Sequence, residues 1–193
     1  MTNKEIIENA QRAWEEEVRF LSEAGKQERE RWVVREFLKK LSILTSEDDL
    51  VSLEQDNDID VMFRDANFQV KEITEADCRR HAEAKESLRR AKNATQLSHL
   101  IPPMIAEDIV WDDVYPLILE RAGDVKYPRS SRGKLDLLFY VTRRHAFLNR
   151  SAPPAELAHL GWRSISCLFG PHPYVLVVTD DAASFLRDHH DDS

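Results

Sequence analysis

Between Asp58 and Ile73 the chain reads Asp-Ile-Asp-Val-Met-Phe-Arg-Asp-Ala-Asn-Phe-Gln-Val-Lys-Glu-Ile, and within it Asp60, Gln69 and Lys71 interrupt two otherwise apolar arms. A carboxylate and an amide offer oxygen donors to a hard cation, and an ammonium group offsets charge developing on a reacting oxygen. The plainer reading is the solvated face of a half-buried sheet. Ile59, Val61 and Phe63 alternate with Asp58, Asp60 and Met62, and Phe68 and Val70 alternate with Gln69 and Lys71. Both arms therefore have strand character. Arg64-Asp65-Ala66-Asn67 supplies turn chemistry between them.

A second carboxylate stands out upstream. From Gln27 to Ile43, the residues Val33, Val34, Phe37, Leu38 and Leu41 form one apolar stripe at helical spacing. Glu30 precedes Val33 by three and Val34 by four, so it lies on that stripe, whereas Glu28 and Glu36 project to the side. A carboxylate at the end of a core-facing stripe either reaches back to water or serves a site.

An acidic residue on one strand, a short turn, then an acid or glutamine, one apolar residue and a lysine resembles the core of the PD-(D/E)XK, restriction-endonuclease-like nucleases. The second element is here Gln69-Val70-Lys71. The family's helix glutamate sits in a similar Glu-x-x-Val context, so the resemblance maps it to Glu30. The chain also resembles a small bacterial family assigned as endonucleases from their fold, in length and in the run Phe-Gln-Val-Lys-Glu-Ile.

The resemblance implies hydrolysis of DNA phosphodiesters with Mg²⁺ or Mn²⁺. Asp60 is then the anchoring ligand, helped by Gln69, the Val70 carbonyl and, through water, Glu30, because Mg²⁺ takes few protein ligands and keeps several waters. Lys71 would orient the attacking water or stabilise the transition state. A carboxylate is usual where Gln69 stands, and glutamine variants of the motif occur in the superfamily. Glu72 is no substitute, since strand alternation turns it away from Gln69 and Lys71.

The 193 residues carry a net charge of −8, which does not favour phosphate binding over the whole surface. The distribution is uneven. Residues 1–60 hold 9 Lys+Arg against 16 Asp+Glu, residues 61–150 hold 16 against 13, and residues 151–193 hold 2 against 6. The net basic middle contains Arg79, Arg80, Lys85, Arg89, Arg90 and Lys92 on an expected helix from Glu75 to Leu100, and Arg129, Arg132 and Lys134 in an expected loop. Both clusters are candidate DNA contacts; the alternative is a solvated helix face and a polar connection. Arg143-Arg144-His145 is a weaker cluster.

Cys78 and Cys167 have no paired spacing, so neither a zinc site nor a disulfide framework is expected, and a reduced, cytoplasmic protein fits. The seven histidines form no metal-binding pattern, and Ser164 and Ser166 lack a nucleophile-elbow glycine pattern. No apolar run approaches the roughly 20 residues of a membrane span, and the N-terminus is not signal-like.

The remaining elements predict an α/β fold: a restriction-endonuclease-like core with a central mixed sheet flanked by helices, and an extra N-terminal helix over residues 3–24 ended near Gly25. Strands are expected at Leu50 to Leu53, Leu135 to Thr142, Arg163 to Phe169 and Tyr174 to Thr179, the second of these central. Helices are expected from Met104 to Ala122, interrupted by Pro116, from Ala155 to Leu160, and from Asp180 or Asp181 onward. One domain over residues 1–187 is expected, with an acidic, disordered tail at 188–193; a homodimer is compatible but not derivable. Two functions follow: a metal-dependent endonuclease, or a non-catalytic module that keeps the fold to bind nucleic acid or protein.

Overall fold

A computed structural model of the chain describes residues 1–53, 58–74, 79–101, 108–124, 126–142, 145–146 and 152–190. Where length predicts one domain, the chain divides into two compact units, Met1–Arg29 with Ala76–Ala106, and Glu30–Glu75 with Glu107–Ser193.

The first unit pairs two helices. Helix α1 (Asn3–Leu21) opens on a reciprocal cap, in which Thr2 Oγ1 accepts from Glu5 N–H at 3.3 Å and Glu5 Oε2 accepts from Thr2 N–H at 2.6 Å. Its stripe of Ile6, Ile7, Ala10, Trp14, Val18 and Leu21 is half-buried. The helix stops at Leu21 and a 3₁₀ turn follows over Glu23–Gly25. Gly25 lies so close to the Phe20 carbonyl oxygen that a Cβ would approach it to 2.4 Å, so only glycine fits there. Helix α2 (Lys26–Lys40) begins in this unit and continues into the second.

The second unit is built on a six-stranded mixed sheet. After α2 come β1 (Val51–Ser52), β2 (Val61–Phe63) and β3 (Ala66–Ile73), an antiparallel meander. The expected four-residue turn is shorter, Arg64-Asp65, with Arg64 at a φ of 53°. Ala66 and Asn67 belong to β3 instead, because Asn67 N–H donates to Asp136 Oδ2 at 2.8 Å and Asn67 Nδ2 to the Lys134 carbonyl at 3.2 Å.

Helix α3 (Arg80–Asn93) returns the chain to the first unit and ends seven residues before the predicted limit, with a separate 3₁₀ turn at Leu97–Leu100; residues 75–78 lie outside the described ones. The two-residue strands β4 (Asp108–Ile109) and β6 (His145–Ala146) pair in parallel. Helix α4 (Trp111–Ala122) starts later than predicted and runs on through Pro116, with Asp112 and Asp113 in its first turn, where acidic groups favour a helix start. Of its predicted extent, residues 104–107 lie outside the described ones, as do Arg143 and Arg144.

A single turn of helix, α5 (Arg129–Arg132), precedes β5 (Asp136–Val141), and β7 (Ser164–Phe169), β8 (His172–Val178) and α6 (Ser184–Arg187) close the chain. Residues 155–160 form a 3₁₀ helix, and α6 begins later than predicted because Ala182 N–H turns back onto the Thr179 carbonyl at 3.1 Å. The strand order is β1-β2-β3-β5-β7-β8, with β3, β5 and β7 parallel. β5 is therefore interior, which explains its unbroken apolar run Leu137 to Val141.

Each sheet face has its own core. Leu137, Phe139, Ile165, Cys167, Phe169 and Ile73 pack with Trp111, Val114, Tyr115 and Ile118 of α4. Val61, Phe63, Phe68, Leu138 and Leu168 pack on the other face with Val33, Val34, Phe37 and Leu38 of α2 and with Phe185 and Leu186 of α6. The predicted disordered tail is tied down as far as described: His190 bridges Val175, and its N–H donates to the Arg187 carbonyl at 3.2 Å.

Candidate functional site

Asp60 stands where the β2–β3 ladder ends. Its N–H donates to the Phe68 carbonyl at 2.9 Å, and the register Val61 opposite Phe68 sets Asp60 opposite Gln69. Beyond that point the Asp60 side chain replaces the missing strand: Oδ2 accepts from Val70 N–H at 2.8 Å and from the Gln69 side-chain amide. Lys71 is two residues past Gln69 and so shares its face. Gln69 is buried, and Asp60 and Lys71 are half-buried.

Lys71 Nζ donates to Tyr127 Oη at 3.0 Å and lies 5.0 Å from the centre of that ring. Lys126 Nζ stands 5.4 Å from the same ring. Burial raises the Tyr127 phenol above its ordinary value; Lys126 opposes that and Asp60 adds to it. The phenol is therefore neutral at physiological pH and can accept from Lys71 while donating elsewhere.

Glu30 is buried at the head of the α2 stripe. That helix covers the face of Phe68, whereas Gln69 and Lys71 point to the other face. Glu72 alternates onto the α2 side, as its position in the strand requires.

The basic candidates are largely engaged. On α3, Arg80 pairs with Glu17 at 3.7 Å and Lys92 with Glu15 at 2.8 Å, both on α1, while Arg89 makes a two-point pair with Glu86 and Arg90 donates to Ser87 Oγ. Arg79 and Lys85 are exposed. The acidic face of α1 thus offsets much of the positive face of α3.

Arg132 is a correction. It was expected on a phosphate-binding loop, but it is buried in a helical turn and donates to four carbonyls: Tyr127 at 2.7 Å, Asp124 at 2.8 Å, Leu160 at 3.1 Å and Gly123 at 3.2 Å. A guanidinium that caps the end of α4 in this way spends four of its five N–H donors inside the fold. Arg129 donates to the His159 carbonyl yet stays exposed, as does Lys134.

Sequence reasoning missed two features. Tyr127 lies 56 positions from Lys71, in a segment without periodicity. Asp136 is fully buried and accepts from Ser164 Oγ at 2.8 Å, Asn67 N–H at 2.8 Å and Arg163, whose guanidinium also reaches the Asp65 carbonyl at 3.0 Å. Its signal was available: an acid at the head of the most apolar strand must be paired. The cluster ties the hairpin turn to β5 and β7, and so holds the strand that carries Gln69 and Lys71.

Among the described residues, no group of three or more His, Cys, Asp or Glu side chains could hold a metal ion. The donors at Asp60 are one carboxylate, the Gln69 amide and, toward the same edge of β3, the Val70 carbonyl. Rotating the Gln69 amide end for end brings its oxygen to the side of Asp60 Oδ2 without changing shape. These oxygens suit a hard cation of low protein-ligand number, held weakly. Cys167 is the opposite of a reactive group, because burial pushes its thiol up.

A mixed sheet with helices on both faces makes this an α/β protein. The chain belongs to the family described as "Putative endonuclease, protein of unknown function (DUF1780)", whose model matches residues 2–192. It is similar to the solved structure of a Pseudomonas aeruginosa strain PAO1 protein of unknown function, described as of the monooxygenase superfamily. The TM-score is 0.63 at 24% identity, over 98% of this chain and 93% of that one. Such a likeness shows the fold alone, and the superfamily label stays with that protein. No curated protein matches the chain. Among the described residues, no helix is long and apolar enough to cross a membrane.

Proposed function

We propose that the chain is a metal-dependent endonuclease that hydrolyses DNA phosphodiesters at Asp60, Gln69 and Lys71, on a restriction-endonuclease-like core. The reading rests on one observation: Asp60 and Gln69 in direct contact on the face that carries Lys71, at the point where β2 stops. The order of elements supports it, with a helix, an antiparallel meander and a crossover to a parallel strand. The family description points the same way.

In this reading Asp60 and the Gln69 amide oxygen, with the Val70 carbonyl, hold Mg²⁺ or Mn²⁺. The bound cation would activate water and neutralise charge at phosphorus. Lys71, fixed by Tyr127, meets the negative charge that builds on the phosphoryl oxygens. Of the basic candidates, Arg129 and Lys134 are exposed in the same unit and would meet the DNA backbone.

A second reading, a nucleic-acid- or protein-binding module without catalysis, is favoured by the Gln69 amide hydrogen that already satisfies Asp60. Incubating purified protein with supercoiled plasmid and Mg²⁺ or Mn²⁺ separates the two. The nuclease reading expects nicking by the native chain and none by Lys71→Ala. Intact plasmid with both metals would favour the binding module.

A further inference from the structure

We propose that Tyr127 is the positioning residue for Lys71: its phenol oxygen fixes the Lys71 ammonium group on the face it shares with Asp60 and Gln69. The proposal rests on the nuclease reading for its consequence in catalysis, but not for its geometry.

A lysine ammonium on a four-carbon stem samples many rotamers, so a lysine that must meet a phosphoryl oxygen needs something to hold it. Tyr127 supplies that hold through the 3.0 Å hydrogen bond to Oη, which leaves Nζ 5.0 Å from the centre of the ring. The tyrosine is itself held by its surroundings. It is 2% exposed, its carbonyl accepts from Arg132 Nε at 2.7 Å, and its ring packs on Trp162 with centroids 5.6 Å apart. Trp162 is anchored in turn by its Nε1 on the Ala122 carbonyl at 2.9 Å.

The buried guanidinium of Arg132 thereby acquires a role: it fixes the segment that presents Tyr127. The other charged groups that act on the phenol are Lys126, beside the ring, and Asp60 and Asp58, which oppose its ionisation. A neutral phenol oxygen accepts from an ammonium without cancelling its charge.

The test is the side-chain order of Lys71 at neutral pH, read by NMR from ¹³C relaxation of its ε-carbon, in the native chain and in Tyr127→Phe. The variant keeps the ring and loses the acceptor, so the order of Lys71 should fall to that of an exposed lysine. In cleavage, kcat should drop about tenfold or more while KM for DNA stays, because a misplaced lysine costs transition-state contact rather than binding. Should Tyr127→Phe fail to fold, 3-fluorotyrosine at position 127 keeps the shape and, while protonated at neutral pH, weakens the oxygen as an acceptor. It should lower the order of Lys71 in the same direction by less.

Unchanged Lys71 order in a folded variant, whether or not the chain cleaves DNA, overturns the proposal. Lower Lys71 order in the variant, with a native chain that cleaves nothing, overturns the nuclease reading and leaves Tyr127 as the group that holds Lys71.

Discussion

The side-chain amide of Gln69 donates to the same carboxylate oxygen of Asp60 that accepts the Val70 N–H, so one aspartate closes the end of the β2–β3 ladder and faces the Lys71 side of the sheet. A glutamate at position 69 could not do this. It would set a second negative charge against Asp60.

Gln69→Glu should therefore have opposite effects with and without metal. In metal-free buffer the lost hydrogen bond to a charged group should cost about 1.5–3 kcal/mol of stability. With Mn²⁺ the added carboxylate should tighten binding and raise the melting temperature above that of the native chain under the same conditions. Thermal melts with and without millimolar Mn²⁺ check both signs.

Asp136 and Arg163 form a buried pair whose loss leaves an uncompensated charge. Arg163→Ala should destabilise the chain by about 3–5 kcal/mol, read as a shift in the urea midpoint. A cost under about 1 kcal/mol would mean that Ser164 and Asn67 suffice to hold Asp136.

Arg132 and its neighbours should part company in DNA-binding assays. Charge reversal at Arg129 or Lys134 should weaken binding and flatten its salt dependence without lowering the melting temperature. Arg132→Ala should lower the melting temperature by several degrees, since four carbonyls lose their donor.

Tyr127 predicts an alkaline limb in stability. Its folded-state phenol titrates above the ordinary value of 10.0, so above that pH the unfolded chain loses this proton first and stability falls as pH rises. Below pH 10 the phenol is protonated in both states and contributes no slope. Denaturation midpoints between pH 9 and 11 should fall less steeply in Tyr127→Phe.

The strand arms, the α2 stripe and the interior place of β5 were legible because period and apolar run are local signals. The shared face of Gln69 and Lys71 followed from alternation, but the opposition of Asp60 and Gln69 did not: a four-residue turn would set Asp60 opposite Lys71, and the turn is two residues long because Asn67 is claimed by Asp136 and Lys134. What stayed hidden was long-range. Arg132 looked like a free cation because the carbonyls it caps lie 5 to 28 positions away. The offset of the α3 charges by α1 was likewise invisible, since Glu15 and Glu17 are more than 60 positions from their partners. Glu30 was correctly placed on the buried stripe, but which sheet face that stripe covers depends on tertiary packing.

The most direct measurement is the single-turnover cleavage rate of an end-labelled DNA duplex as Mn²⁺ is raised, for the native chain, Asp60→Ala and Gln69→Glu. The account predicts a rate that saturates with Mn²⁺ in the native chain, saturation at lower Mn²⁺ in Gln69→Glu, and no cleavage by Asp60→Ala at any concentration in a protein that remains folded. Cleavage undiminished in Asp60→Ala, or absent from all three, would contradict it.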